Sequence, residues 1–200
     1  EVRDDLPETN GVEVGYVGVM GDQEGIDLLL EAAERIKRDR NDIHFTLIGD
    51  GPAADDLRSM AEEKDLGEIV EFTGRVSDRE LVRRLAGSDI CVNPDRATPM
   101  NDKSTMNKIM EYMALSKPIV QFDLTEGRFS AKDASLYARE NDPADLLPND
   151  RVKQAAVDGD VTQLHRGNRY GEEGDTFELD GVTFELTEVT ARTLGDMTDE

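Results

Sequence analysis

Between Asp89 and Phe122 the sequence leaves few ways to fold. An apolar run, Asp89-Ile90-Cys91-Val92-Asn93-Pro94, leads through a polar loop into Asn101–Leu115, and Pro118 then opens a second apolar run, Ile119-Val120-Gln121-Phe122. Two short apolar strands on either side of an amphipathic segment form a β-α-β unit, and such strands lie parallel in one sheet. On a helical wheel Met106, Ile109, Met110 and Met113 share one side, the spacing of a buried face. Ser104, Lys108 and Glu111 fall on the other side. Asp102 or Ser104 can cap the start of this helix, and Pro118 stops it. The start of a helix just beyond a parallel strand is where α/β proteins hold phosphate.

The same alternation runs upstream. Residues 1–11, with Pro7 and Gly11, read as a linker. Val12–Met20 reads as a strand, Gly21–Gly25 as its exit turn, and Ile26–Arg38 as a helix with Leu28, Leu29, Ala32, Ala33 and Ile36 inward. Ile43–Ile48 is a second strand, and Gly49-Asp50-Gly51-Pro52 turns into a helix through Glu63. Ile69–Thr73 is a third, with Asp78 expected to cap the helix that carries Leu81, Val82 and Leu85. The pattern predicts an α/β fold, a Rossmann-like parallel sheet with helices on both faces, over residues 12–146. Right-handed crossovers put every strand's exit loop on one rim. The loops at 18–25, 49–52, 74–76 and 95–104 are therefore expected to share the rim where a ligand binds. From 147 to 200 the text changes: a short helix over Val152–Val157, a strand-like Val161–Arg169, and period-two runs at Thr176–Leu179 and Val182–Val189 around Asp180-Gly181, a hairpin signal. This tail reads as a second, β-rich module.

Charge narrows the function. Acidic residues number 45 against 23 basic ones, a formal charge of −22, which argues against a broad polyanion-binding surface. Abundant Asp, few aromatics and more Arg than Lys give the composition of a protein adapted to high salt, of haloarchaeal type, where screening relieves carboxylate repulsion. The single cysteine, Cys91, admits no intrachain disulfide. Two histidines, His44 and His165, do not suggest zinc, and no Ser-His-Asp arrangement assembles. No apolar run reaches the ~18 residues of a membrane span, no signal peptide is visible, and the cytoplasm is the expected compartment. The opening on Glu1 and the acidic end suggest a fragment.

Several residues could serve an anionic ligand. Gly18, Gly21 and Gly25 either permit close backbone approach to a ligand or serve tight turns. Lys103 and Lys108 flank the central helix's first turns, with Arg75 and Arg96 on neighbouring loops. With the helix dipole they could neutralise a diphosphate. Glu111 offers two acceptor oxygens to a vicinal diol such as a ribose, or forms an i−3 ion pair with Lys108.

The ordered blocks Gly15-Tyr16-Val17-Gly18-Val19-Met20-Gly21, Ile48-Gly49-Asp50-Gly51-Pro52, Phe72-Thr73-Gly74-Arg75-Val76 and Lys108-Ile109-Met110-Glu111-Tyr112-Met113-Ala114, the last followed by Lys117-Pro118-Ile119-Val120, resemble the donor-binding C-terminal half of group 1, family 4-like GT-B glycosyltransferases. The resemblance implies a transferase that takes a sugar from a UDP- or GDP-sugar and passes it to an acceptor held by an N-terminal half absent from this sequence. It implies no tightly bound cofactor and no obligatory metal. Glu111 matches the second glutamate of the family's E-x7-E motif, which implies a ribose contact, and Gly74, Arg75 and Val76 would line the base. Gly18, Gly21, Lys103, Ser104, Thr105 and Lys108 would complete the donor site. The first glutamate falls at Lys103, so the sugar-contacting or catalytic group is undefined, with Asp102 and Lys108 the candidates. In the first loop Asp22-Gln23-Glu24 stands where a Lys or Arg is often found.

The tail resembles something else. Gln163–Gly167, Gly174–Phe177 and Arg192–Thr198 are similar to the first half of an ASCH domain, a PUA-like β-barrel, which implies RNA as a second partner. Of its G-x-K-x-x-T-x-R motif only Gly159 and Arg166 match, Val161 and Leu164 replacing Lys and Thr. The alternatives to a transferase are thus an RNA-binding protein or a GT-B sugar-nucleotide epimerase.

Overall fold

Six apolar runs, none longer than six residues, pair edge to edge in a computed structural model of the chain. The structure describes residues 11–40 and 42–146 with their side chains, and the backbone of residues 176–179 and 182–185. Strands β1 (Val12–Val17), β2 (Ile43–Ile48), β3 (Val70–Gly74), β4 (Ile90–Asn93), β5 (Ile119–Phe122) and β6 (Ser135–Ala138) form one parallel sheet of order β3-β2-β1-β4-β5-β6. This is the α/β, Rossmann-like sheet expected.

Both faces are covered, as a parallel sheet requires. Side chains alternate between them. Val14 and Tyr16 of β1, Ile90 and Val92 of β4, and Val120 and Phe122 of β5 pack with helices α1 (Ile26–Lys37), α2 (Ala54–Glu63) and α6 (Pro143–Leu146). Val17, Cys91 and Ile119 point to the opposite face, against α3 (Asp78–Gly87), α4 (Asn107–Ala114) and the end of α5 (Thr125–Ala131). Each fully buried Leu, Ile or Phe among them contributes roughly 1.5–3 kcal/mol. Lys117 donates from Nζ to the carbonyls of Ala86 at 2.5 Å and Ser88 at 2.7 Å, closing the C-terminal end of α3 with a cation.

Several local expectations are corrected. The first strand stops at Val17 rather than Met20: Gly18 N still reaches Ile48 O at the end of β2, and Met20 N donates to Asp50 O on the loop beyond it. The cap of α3 is Ser77, whose Oγ accepts from Glu80 N, not Asp78. The central helix begins only at Asn107. Before it lie a 3-10 turn over Asn101–Lys103 and an extended Ser104. Polar side chains divert this stretch from helix: Asn101 Nδ2 donates to Gln23 O and Arg96 O, Ser104 Oγ to Met100 O, and Asp102 Oδ1 accepts from Thr125 N at 2.7 Å. Neither Asp102 nor Ser104 caps α4. Its buried residues are Lys108, Ile109, Tyr112 and Met113, whereas Met110 is exposed. The helix is rotated relative to the expected face, and Lys108 goes inside. Elements α5, β6 and α6 extend the sheet beyond the series read from sequence.

Nothing in the tail's helix or first strand, nor the ASCH-like motif at Gly159–Arg166, lies within the described residues. The hairpin does: β7 (Thr176–Leu179) pairs antiparallel with β8 (Val182–Glu185). It belongs to a separate compact unit, residues 166–200, from that of residues 1–165.

The first two rim loops meet without side chains between them. Gly49 has φ +134°, and a Cβ there would lie 1.9 Å from Gly18 O. Gly49→Ala is therefore expected to lose about 1–3 kcal/mol or more in urea unfolding followed by circular dichroism. Gly67→Ala, which meets nothing within 4 Å, should stay within about 0.5 kcal/mol of the parent.

Candidate functional site

In an open sheet of this order the chain runs outward from β1 in one direction to β2 and in the other to β4, so β1 and β4 form the topological switch point. Ligands of such folds bind in the crevice beyond the C-terminal ends of those two strands. Here β1 and β4 are registered at Val14↔Ile90 and Gly15↔Cys91. Further along, a phenol stands between them. Val17 N donates to Tyr112 Oη at 3.0 Å, and Tyr112 Oη donates to Val92 O at 3.2 Å. Burial raises the Tyr112 phenol well above its ordinary value, so it keeps its proton and can make both bonds. One hydroxyl thus satisfies a buried amide of β1 and a buried carbonyl of β4.

Above this wedge the two exit loops are fastened together. Lys108 Nζ, reaching from the first turn of α4, donates to Glu24 Oε2 at 2.5 Å and to Asp95 Oδ1 at 2.6 Å. It also lies 5.1 Å from the centre of the Tyr16 ring. Glu24 ends a 3-10 turn (Asp22–Glu24) beyond β1, and Asp95 follows β4. Tyr16 Oη donates to Glu24 Oε2 at 3.3 Å and to Val19 O at 3.2 Å. With its amide nitrogen turned toward Asp95, Asn93 Nδ2 donates to Oδ2 at 2.9 Å. Arg96 N and Asn101 Nδ2 both bond Gln23 O, each at 3.0 Å, while the Arg96 guanidinium takes Asp22 O and the Asp27 carboxylate. Gly25, at φ +63°, leaves no room for a Cβ, which would fall 2.0 Å from Pro94 O.

Two carboxylates therefore share one buried ammonium. The Asp95 side chain is 1% exposed and that of Glu24 19%. Burial pushes the Asp95 carboxyl up to about 7. Lys108 opposes that rise and the neighbouring Glu24 adds to it. Loss of the ammonium would leave both acidic groups without their shared partner, and losing one member of a buried pair costs about 3–5 kcal/mol.

The other residues singled out from sequence are distributed along the same rim. Gly18 and Gly49 pack backbone on backbone, whereas beside Gly21 the nearest atom to a notional Cβ is Glu24 Cγ at 4.0 Å. Gly74, at φ +68°, accepts from Gly49 N, and a Cβ there would meet nothing within 4 Å. Arg75 and Lys103 are exposed, and Val76 packs at the edge of the second core. Thr105 Oγ1 donates to Glu126 at 2.6 Å. Asp102, engaged by the amide of Thr125, is held below the usual carboxylate range by that bond. Glu111 is partly buried on α4. The start of α4 has no side-chain cap: Met106 occupies that position. The structure thus brings Lys108 to the first rim loop and α4's open end to the switch point, and it turns Arg96 toward acidic partners. Among the described residues no cluster of His, Cys, Asp or Glu could hold a metal ion, and no helix is long and apolar enough to cross a membrane.

Asp95, Glu24, Tyr16 and Tyr112 were not read from sequence as members of this site. The signal for Tyr112 was available in its spacing from Ile109, which fits a buried face as well as Met110's does. Tyr112→Phe keeps the ring and leaves Val17 N–H and Val92 C=O without their shared partner. It is expected to lower stability by about 1–3 kcal/mol and to speed hydrogen exchange at the Val17 amide, read by NMR. An unchanged Val17 amide would contradict the wedge.

The family pattern described as glycosyl transferases group 1 matches residues 11–148. The alpha-D-kanosaminyltransferase of Streptomyces kanamyceticus is 29% identical over 126 residues, which cover 61% of this chain and 31% of that enzyme. The poly(ribitol-phosphate) alpha-N-acetylglucosaminyltransferase of Staphylococcus aureus (strain COL) is 26% identical over 162 residues, 78% of this chain and 30% of that one. Among solved structures, Anabaena HepE in complex with UDP and glucose superposes with a TM-score of 0.64 at 18% identity, over 80% of this chain and 43% of HepE, a likeness of fold. The chain spans about a third of the length of these two curated relatives. With a family match over more than half of its residues, the chain belongs to the glycosyl transferases group 1 family.

Proposed function

We propose that residues 12–146 are the donor-binding half of a nucleotide-sugar-dependent GT-B glycosyltransferase, and that its acceptor is held by a second Rossmann-like half outside these 200 residues. The observation that carries this reading is the start of α4, uncapped by any side chain and set at the β1/β4 switch point. A helix start without a side-chain cap and the positive end of the dipole suit a diphosphate. Lys103, Ser104, Thr105 and Lys108, which lie in the stretch leading into that helix and in its first turn, would serve the phosphates. Glu111, one turn deeper, would take the ribose diol on its two oxygens, and the loop at Gly74, Arg75 and Val76 would line the base. Gly18 and Gly21 would let the first loop approach the sugar. The UDP and glucose bound by HepE support a donor of the UDP-sugar class for this chain as well.

In such a reaction the bond that breaks joins the sugar's anomeric carbon to the diphosphate, and negative charge grows on the departing oxygens. Amides and cations fixed at that point stabilise the developing charge with no reorganisation, which favours departure without an obligatory metal. Asp102 and Lys108 are the candidates for direct contact with the sugar and the leaving group. The charge of −22 supports work in high salt, where screening removes the repulsion between the protein and an anionic donor.

UDP or GDP, added in high potassium chloride, is expected to protect residues 101–111 from hydrogen exchange. Glu111→Gln should weaken binding about tenfold, or roughly 1.4 kcal/mol, at unchanged melting temperature. Absence of titratable binding for any nucleoside diphosphate would sink the donor reading.

A further inference from the structure

We infer that Glu24 is an internal competitor for the ligand's phosphate, a side chain that occupies Lys108 in the free protein and yields it to a diphosphate. This rests on the donor reading above and adds a residue that sets affinity and selectivity within the same site.

Three features of the geometry point to Glu24 rather than to Asp95 as the partner that leaves. Asp95 is sealed beneath the crevice, with Asn93 on its other oxygen and 1% of its side chain exposed. Glu24 is 19% exposed and sits on the outer side of the ammonium, so it has a path to solvent. The backbone that carries it is fixed independently. Gln23 O accepts from Arg96 N and Asn101 Nδ2, Asp22 O accepts from the Arg96 guanidinium, and Gly25 is packed on Pro94 O. A rotation of the Glu24 side chain therefore empties one face of Lys108 without unfastening the loop.

The charge balance gives the movement a direction. With both carboxylates ionised the ammonium is over-compensated, and Glu24 adds to the rise that burial imposes on the Asp95 carboxyl. A third anion can approach only if one of the two withdraws. A phosphate oxygen that replaces the Glu24 carboxylate restores a pairing of the same kind, with Asp95 still holding Lys108 in position. Tyr16 Oη, which donates to Glu24 in the free protein, becomes available to the incoming oxygen. A ligand of weak charge cannot make this exchange. The arrangement selects diphosphates over uncharged nucleosides and sugars.

The test compares the whole chain with Glu24→Gln, which keeps size and an acceptor for Tyr16 but removes the competing charge. Binding of UDP and of inorganic pyrophosphate is measured by calorimetry in high potassium chloride. The variant is expected to bind both at least about tenfold more tightly, the change produced when a binding-competent state rises from a tenth of the molecules or fewer to most of them. Glu24→Ala, should the glutamine variant fold poorly, is expected to move affinity in the same direction. UDP binding by the parent with equal or weaker binding by both variants overturns the role of Glu24 and leaves the donor reading intact. Tighter pyrophosphate binding by the variants without any affinity for UDP supports the role of Glu24 and overturns the donor reading. Failure of parent and variants to bind either anion overturns both.

Discussion

One ammonium group, that of Lys108, joins the parts of this domain that bear on ligand binding. It extends from the first turn of α4, takes a carboxylate from the loop beyond β1 and another from the loop beyond β4, and lies over the ring of Tyr16. Those two loops border the crevice at the switch point. A charge buried this far is tolerable only with close partners, and its partners come from opposite sides of the gap. The position of α4's open end relative to the sheet follows from that pairing.

The surroundings hold the two strand ends in place beneath the pair. Tyr112 inserts its hydroxyl between Val17 and Val92, where two strand ends would otherwise have to satisfy each other. Gly49 and Gly25 allow rim loops to touch backbone to backbone. The site is therefore held from below by a phenol, from the sides by turns without side chains, and from above by an ion pair. Of the two carboxylates in that ion pair, Glu24 is the one with access to solvent.

Much of the fold could be read from the sequence because its strands are short apolar runs between strongly amphipathic helices. The run at Ile43–Ile48 and the helix beginning at Ile26 illustrate this. Elements with weaker patterns escaped: α5 carries Gly127 and an exposed Phe129, and β6 is a four-residue strand, Ser-Leu-Tyr-Ala. The central helix was located, but its rotation was not. Methionines at 106, 110 and 113 suggested one buried face, while the folded chain buries Lys108 and Tyr112 beside Ile109 and exposes Met110. A lysine goes inside only when acidic partners converge from elsewhere in the chain. Glu24 and Asp95 lie 84 and 13 residues away, beyond any local pattern. Helix periodicity carries no information about such partners.

The state of the Lys108 ammonium tests the account most directly. Its side-chain nitrogen and attached protons can be followed by NMR in high potassium chloride while UDP is added. The account predicts a slowly exchanging ammonium in the free protein, distinct from that of exposed Lys103, which shifts saturably with UDP and shows proximity to its phosphorus atoms. An ammonium that exchanges as freely as that of Lys103, or one that UDP leaves unmoved while binding elsewhere on the chain, would contradict it.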